Sequence, residues 1–285
     1  MEATDARRAV AAAMATVAEL GLAADDAIIL NDSNRLVIRL TPCDIVARVA
    51  PMTHFASVEA EIDLVRRLEQ MDSPVAALDA RVEPRVFVQD GSKVTLWAYF
   101  EPGPSRVVPP AEYTQALARL HAGLRRIEVT TEHVMDRVAA TQRDLASRDI
   151  TPDLADPDRA LLADTLRELG RSIVNRNAPE QLLHGEPHSA NILNTEKGPL
   201  FIDFENTAYG PVEYDLAWVP EEVSRHYPDA DQELVDECRG VMLAIIVAHR
   251  WSRDDQHPSG RESGVAFLRA LREGPPWPAL DDVVW

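Results

Sequence analysis

The chain has 285 residues, 46% of them apolar and 27% charged, which is enough apolar side chain for a core and excludes general disorder. Forty-seven acidic residues against 29 basic ones give a formal net charge of −18. That argues against nucleic-acid partners, which require a cationic footprint. The only cysteines, Cys43 and Cys238, exclude a disulfide framework and a Cys-rich zinc site and suit a reducing cytoplasm. No apolar run approaches the ~18 residues that cross a bilayer, so no membrane partner is expected.

In chain order, Ala9 to Ala18 follows Arg7 and Arg8 and faintly imitates a signal peptide. Asp5 and the weakly apolar alanines favour an N-terminal helix instead. Ala27 to Leu30 leans to strand, and Asn31-Asp32-Ser33-Asn34 is a turn cluster. Leu36 to Leu40 and Ile45 to Ala50 are two further strands, broken at Thr41 to Asp44. Val58 to Leu68 changes period: Ile62, Val65 and Leu68 fall at helical spacing among charged residues. Val86 to Gln89 and Val94 to Phe100 flank Asp90-Gly91, a hairpin signal.

Glu101-Pro102-Gly103-Pro104 interrupts the pattern. Beyond it, Tyr113, Leu117, Leu120 and Leu124 form a helical stripe. Val134 to Ala146, Arg159 to Val174, Glu233 to Trp251 and Val265 to Leu271 read as further helices around a strand-like island, Asn191 to Asp203. The expectation is an α+β protein: a small β-rich lobe over 1–102 and a larger, mainly helical lobe over 103–285.

Chemistry-bearing residues concentrate in HGEPHSANILNTEKGPLFIDFENTAYGPVEYDLA, from His184 to Ala217. Asn191-Ile192-Leu193 and Pro199 to Ile202 can pair as a hairpin that brings Asn191 and Asp203 together from its outer ends. An amide oxygen and a carboxylate converging there suit a hard cation holding phosphate oxygens. Glu186, five residues before Asn191, is then available to accept a proton from a hydroxyl. Lysine occurs only at 93 and 197, so a cation needed in a site is arginine.

This block resembles the aminoglycoside phosphotransferase family and its relatives, the choline and methylthioribose kinases. The matching residues are His184-Gly185-Glu186 with Asn191, then Ile202-Asp203-Phe204, then Gly210 with Asp215-Leu216-Ala217. The resemblance implies a protein-kinase-like two-lobed fold and an ATP-dependent small-molecule O-phosphotransferase, with GTP left open as the nucleotide. It implies Glu186 as catalytic base, Asn191 and Asp203 as Mg²⁺ ligands, and His184 and Asp215 as braces of the loop. It further implies Arg48 as the cation facing the nucleotide phosphates, with Glu61 as its helix partner. Trp97 to Gly103 looks like the hinge, with adenine against Tyr99, Phe100 and Glu101, and Ala116 to His121 like the opening of the helical lobe.

Two positions depart from the family pattern. Glu186 stands where aspartate is usual, and the Asn31 to Asn34 loop lacks glycine, so turn amides would have to cover phosphate there. The first departure sustains a second reading, a nucleotide-binding protein with weak or no transfer activity. Among other rivals, His184-Gly185-Glu186 fits half of a zinc deaminase signature but the P-C-x-x-C half is missing. Asp203-Phe204 begins like the D-F-G of protein kinases, but Glu205 replaces the glycine and neither H-R-D nor A-P-E is present.

Several residues keep ordinary alternatives. Arg48 and Glu61 could be a surface pair, with Arg35 or Arg39 able to stand in for Arg48. Glu205 leans to being a structural partner for an arginine, His121 to ending a helix and packing, and Trp218 and Trp251 to the core. Asp203 to Asp255 holds 13 acidic residues and four arginines, a surplus that could line a pocket for a cationic hydroxyl acceptor.

Overall fold

A computed structural model describes residues 3–32, 35–52, 55–255 and 257–283. The chain divides into two compact units. The first comprises Met1–Arg106 together with Leu193–Glu205, and the second Val107–Ile192 with Asn206–Trp285.

In the first unit, helix α1 (Ala3–Glu19) precedes strands β1 (Ala24–Asp32), β2 (Leu36–Pro42) and β3 (Ile45–Pro51), helix α2 (Phe55–Glu69), and strands β4 (Phe87–Gln89) and β5 (Ser92–Ala98). The strands form one antiparallel sheet in the order β1-β2-β3-β5-β4. Alternation along β2 and β3 sends Leu36, Ile38, Leu40, Ile45, Ala47 and Val49 to one face, where they pack against Ala9, Ala12, Ala13 and Val17 of α1. Odd and even positions therefore separate core from site: Arg48, between Ala47 and Val49, faces the other way. The hairpin closes as Asp90-Gly91 demands, with both residues at positive φ and Gln89 paired with Ser92. The expected turn at Asn31 is displaced, because β1 continues through Asp32 with register shifts near Ile29; Ser33 and Asn34 lie outside the described residues.

The expected island is a two-stranded sheet, β7 (Ile192–Thr195) and β8 (Gly198–Phe201). Its turn is tighter than predicted, because Thr195 Oγ1 accepts from Lys197 N at 3.2 Å and donates to Gly198 O at 2.7 Å. Residues Leu193–Glu205 belong to the first unit for a physical reason. Gly103 N donates to Asn194 O at 2.8 Å, and Phe201 exchanges backbone hydrogen bonds with Pro74 and Ala76.

The second unit is built from α3 (Pro110–Leu124), α4 (Val134–Ala146), α5 (Asp156–Asn175), α6 (Val212–Trp218), α7 (Glu221–His226), α8 (Gln232–Arg250) and α9 (Gly260–Glu273). A short ribbon of β6 (Glu180–Leu183) and β9 (Ala208–Pro211) joins them. Residues from α4, α5, α6, α8 and α9 share one core that includes Trp218 and Trp251, as the sequence suggested. The short elements β6, β9, α6 and α7 escaped the sequence reading because four to seven residues carry too little periodicity. No helix among the described residues is long and apolar enough to cross a membrane.

Helix α8 starts at Asp231, whose carboxylate accepts from Glu233 N at 3.0 Å and Leu234 N at 3.2 Å. Asp231→Ala is expected to cost about 1 kcal/mol of stability, and Asp231→Asn, which keeps the acceptor, clearly less. Urea denaturation of the two variants side by side checks this.

Candidate functional site

Two clusters hold the candidate residues, one in each unit. In the first, the Arg48 position on β3 aims its guanidinium at α2, where helical spacing turns Glu61 inward with Leu64, Val65 and Leu68. The pair is buried, not superficial: Glu61 retains 1% of its exposure. Arg48 Nη1 donates to Glu61 Oε1 at 2.6 Å. A second arginine, Arg35, donates to the other oxygen, Glu61 Oε2, also at 2.6 Å. Burial alone would raise the Glu61 carboxyl; Arg48 and Arg35 overcome it and hold it below its ordinary value.

Asp203 joins this cluster, with Oδ2 at 3.6 Å from Arg48 Nη2. The Phe204 N–H donates to Glu61 Oε1 at 3.2 Å, and Glu205 forms an ion pair with Arg35 Nη2. Glu205 is therefore the arginine partner that the sequence suggested. Burial pushes the Asp203 carboxyl up, against the pull of Arg48. Its Oδ1 is buried and accepts no hydrogen bond, although a buried polar atom normally finds a partner. Such a carboxylate oxygen is a hard donor suited to Mg²⁺.

Tyr99, Phe100 and Glu101, expected to receive adenine, follow β5 directly, before Gly103 is gripped by Asn194. The Arg39 guanidinium lies 3.6 Å from the centre of the Tyr99 ring and 3.6 Å from Glu101 Oε1. Arg39 is thus engaged with Tyr99 and Glu101 and does not stand in for Arg48.

In the second unit, the loop after β6 is organised by Asp215, which is fully buried on α6. His184 N donates to Asp215 Oδ2 at 2.9 Å and Gly185 N donates to Oδ1 at 2.8 Å. His121 Nε2 lies 2.9 Å from Asp215 Oδ2, and its Nδ1 lies 2.7 Å from the Tyr227 hydroxyl. Facing a carboxylate, Nε2 is the donor. Burial and Asp215 push the Tyr227 hydroxyl up to about 12, which keeps it a donor. His121 does more than pack: it is the third donor to the buried acid.

Glu186 comes next, partly buried, with its backbone N 3.4 Å from His184 Nδ1. Asn191 Nδ2 donates to Glu186 O at 3.0 Å. This bond fixes the amide nitrogen, and the amide oxygen is the atom with the chemistry to hold a hard cation. His188 Nε2 is 3.4 Å from Asn191 Nδ2 and its ring is 6.0 Å from that of Trp218. Burial, with His184 adding to it, lowers His188 to about 4, so the ring is neutral near pH 7. Tyr113 bonds Pro187 O and Ser189 bonds Asp281, which pins the loop from α3 and from the C-terminal segment. Arg137, unremarked in the sequence, feels the Glu186 charge.

Asp203 and Asn191 thus each have the chemistry of a hard-cation ligand. The zinc alternative finds no support, since among the described residues no group of three or more His, Cys, Asp or Glu gathers as a metal cluster. A groove lined by His133, Met135, Ile173, Val174, Asn177 and Glu180 holds none of the candidate residues.

The class follows from comparison with known proteins. A family model, described as the phosphotransferase enzyme family, matches residues 27–241. The chain belongs to that family, and in class it is a small-molecule phosphotransferase. No match was found among curated proteins. Among solved structures, the GDP and kanamycin complex of APH(2")-IIia is similar with a TM-score of 0.70 at 14% identity, over 92% of this chain and 98% of that one. Amicoumacin kinase hAmiN, in complex with AMP-PNP, Ca²⁺ and Ami, gives a TM-score of 0.66 at 13% identity, over 97% and 98%. A choline/ethanolamine kinase family protein from Mesorhizobium loti gives 0.66 at 19% identity, over 95% of each chain. These likenesses identify the kinase-like fold, which the first unit's antiparallel sheet and the second unit's helices express.

Gly185 has φ +95°, and a Cβ there would run into the Asn206 carbonyl oxygen. Gly185→Ala is expected to destabilise the protein by at least about 1–3 kcal/mol, the scale of a strained backbone position. A thermal melt that matches wild type would show that the loop relaxes without loss.

Proposed function

We propose that this protein transfers the γ-phosphate of ATP to a hydroxyl of a small molecule, with Mg²⁺ bound by Asp203 and Asn191. The observation that carries this reading is the Asp203 carboxylate. One of its oxygens is buried without a hydrogen-bond partner, while Arg48 and Glu61 fix the residues around it. Mg²⁺ bound there supplies neutralisation of charge on the transferred group.

Arg48 offers planar donors suited to phosphate oxygens, and Glu61 holds that guanidinium in place. Tyr99, Phe100 and Glu101 present backbone groups for adenine. Glu186 orients the acceptor hydroxyl and takes its proton. Asp215, His121 and the fixed N–H groups of His184 and Gly185 keep the Glu186 backbone stationary while it does so. Residues 1–102 serve the nucleotide, and 103–285 carry the catalytic loop and the acceptor site. The acid surplus of the second half, including Asp281 beside Ser189 of the loop, favours a cationic acceptor. One solved relative carries AMP-PNP and another GDP, so ATP and GTP are both assayed. A cytoplasmic location, where nucleoside triphosphates are abundant, suits this chemistry.

The deciding assay measures ADP or GDP release across aminoglycosides, amino sugars, choline-like alcohols and macrolides. Asp203→Ala is expected to abolish metal-dependent turnover in a folded protein; unchanged kcat and Mg²⁺ dependence would overturn the reading. Glu186→Gln is expected to keep nucleotide affinity and lose turnover by ~10²–10⁴-fold. The lower end is favoured because the proton leaves late in a loose phosphoryl-transfer transition state.

The second reading, binding without efficient transfer, rests on glutamate at the base position. Glu186→Asp separates the two. A slower variant means that the pocket is built for the longer arm, and a faster one means that glutamate is a weakened base.

A further inference from the structure

The segment Asp203-Phe204-Glu205 is tied down at each of its three residues, and the outermost tie uses a residue pair with no role assigned so far. Arg35, just ahead of β2, is buried to 5% exposure. Its guanidinium spans two acids: Nη1 donates to Glu61 Oε2 at 2.6 Å, and Nη2 donates to Glu205. Phe204 N donates to Glu61 Oε1 at 3.2 Å. The Glu205 N–H also lies close enough to the Asp203 carboxylate to favour its charged form.

We propose that Arg35 and Glu205 form a latch that positions Asp203 as a metal ligand. The inference rests on the assignment of Asp203 to Mg²⁺ made above. Asp203 has φ +68°, a conformation that aspartate tolerates but that persists only where its surroundings over-determine it. If the chain relaxed to negative φ, the carboxylate would swing away from Arg48. Arg48 reaches Asp203 only at 3.6 Å, too far for a hydrogen bond, so it does not fix the rotamer. The hold is instead on the backbone that follows: Phe204 N is bonded to Glu61 Oε1, and Glu205 is anchored through its side chain to Arg35. Arginine is required for this geometry, because one lysine ammonium does not present the planar fork that bridges two carboxylates. Glutamate at 205, in place of glycine, supplies the anchoring arm.

The latch predicts a split between metal and nucleotide binding. The full-length protein is titrated with Mn²⁺ at saturating ADP, free Mn²⁺ being read by electron paramagnetic resonance, and ADP affinity is measured separately without metal. Glu205→Gln keeps the side-chain shape and removes the charge that Arg35 grips. Its Kd for Mn²⁺ is expected to rise about 10-fold, the scale of losing a group that orients a metal ligand. Its metal-free ADP affinity is expected to stay within about twofold of wild type, a split that a merely structural role would not produce.

Arg35→Lys is expected to weaken Mn²⁺ binding in the same direction. Because Arg35 is buried against Glu61, that variant could unfold; the partly exposed Glu205→Gln then decides alone, its fold verified by circular dichroism. If Asp203→Ala loses Mn²⁺ while Glu205→Gln binds it as wild type does, the latch is wrong and the metal assignment stands. If Asp203→Ala also binds Mn²⁺ normally, the metal assignment fails and the latch fails with it.

Discussion

A carboxylate taken out of water must collect its hydrogen bonds from the protein around it, and this constraint organises both units of the chain. Glu61 and Asp215 are almost fully buried. Each draws donors from places far apart in sequence. Glu61 gathers Arg35, Arg48 and the Phe204 N–H; Asp215 gathers His121, His184 N and Gly185 N. Each acid thereby converts a burial cost into a fixed point of the backbone. Removing any single donor leaves the acid under-satisfied, which is why such networks behave as units rather than as sums of pairs.

Asp203 is the deliberate exception. Around it, two guanidinium groups, Arg35 and Arg48, face three carboxylates, Glu61, Asp203 and Glu205. Burial pushes the Asp203 carboxyl up, the Glu61 charge adding to it against Arg48 and Arg35, and its Oδ1 has no donor. Glu61, buried more deeply, moves the opposite way because two arginines face it directly. The contrast is between an acid satisfied by the fold and one with a buried oxygen left without a donor. A carboxylate held in that state is suited to a divalent cation.

Much of this was legible in the sequence, for identifiable reasons. The periods of β2, α2 and α3 were clear because each has one buried face, whereas β3, buried on both faces, showed as a nearly continuous apolar run. Asp90-Gly91 marked its hairpin because few other pairs accept two positive φ values. The joint spacing of His184, Asn191, Asp203 and Asp215 marked the site block. What stayed hidden was partnership over distance. Nothing near Arg35 in sequence indicates that Glu61 and Glu205, 26 and 170 residues away, share its guanidinium. His121 looked like a helix-end residue because its partners, Asp215 and Tyr227, lie 94 and 106 residues on. Arg137 and Asp281 were hidden for the same reason, and the four short elements of the second unit were too brief to show a period.

The same fixed points bear on glutamate at position 186. Were the loop free to shift, one extra methylene could be absorbed by retreat of the backbone. Here the chain is held on one side of Glu186 by the bonds of His184 and Gly185 to Asp215, and Gly185 sits against the Asn206 carbonyl with no space behind it. On the other side, Asn191 Nδ2 grips the Glu186 carbonyl itself. The added length must therefore appear at the carboxylate end, as a displacement of about an ångström, and under the base role proposed for Glu186 a misplacement of that size would be worth ~10²-fold in rate. Arg137, held by Glu132 and the Asn206 carbonyl, lies within electrostatic reach of Glu186. The departure from aspartate is then a property of the whole anchored loop, and in the function proposed above the acceptor hydroxyl would have to sit where the longer carboxylate ends.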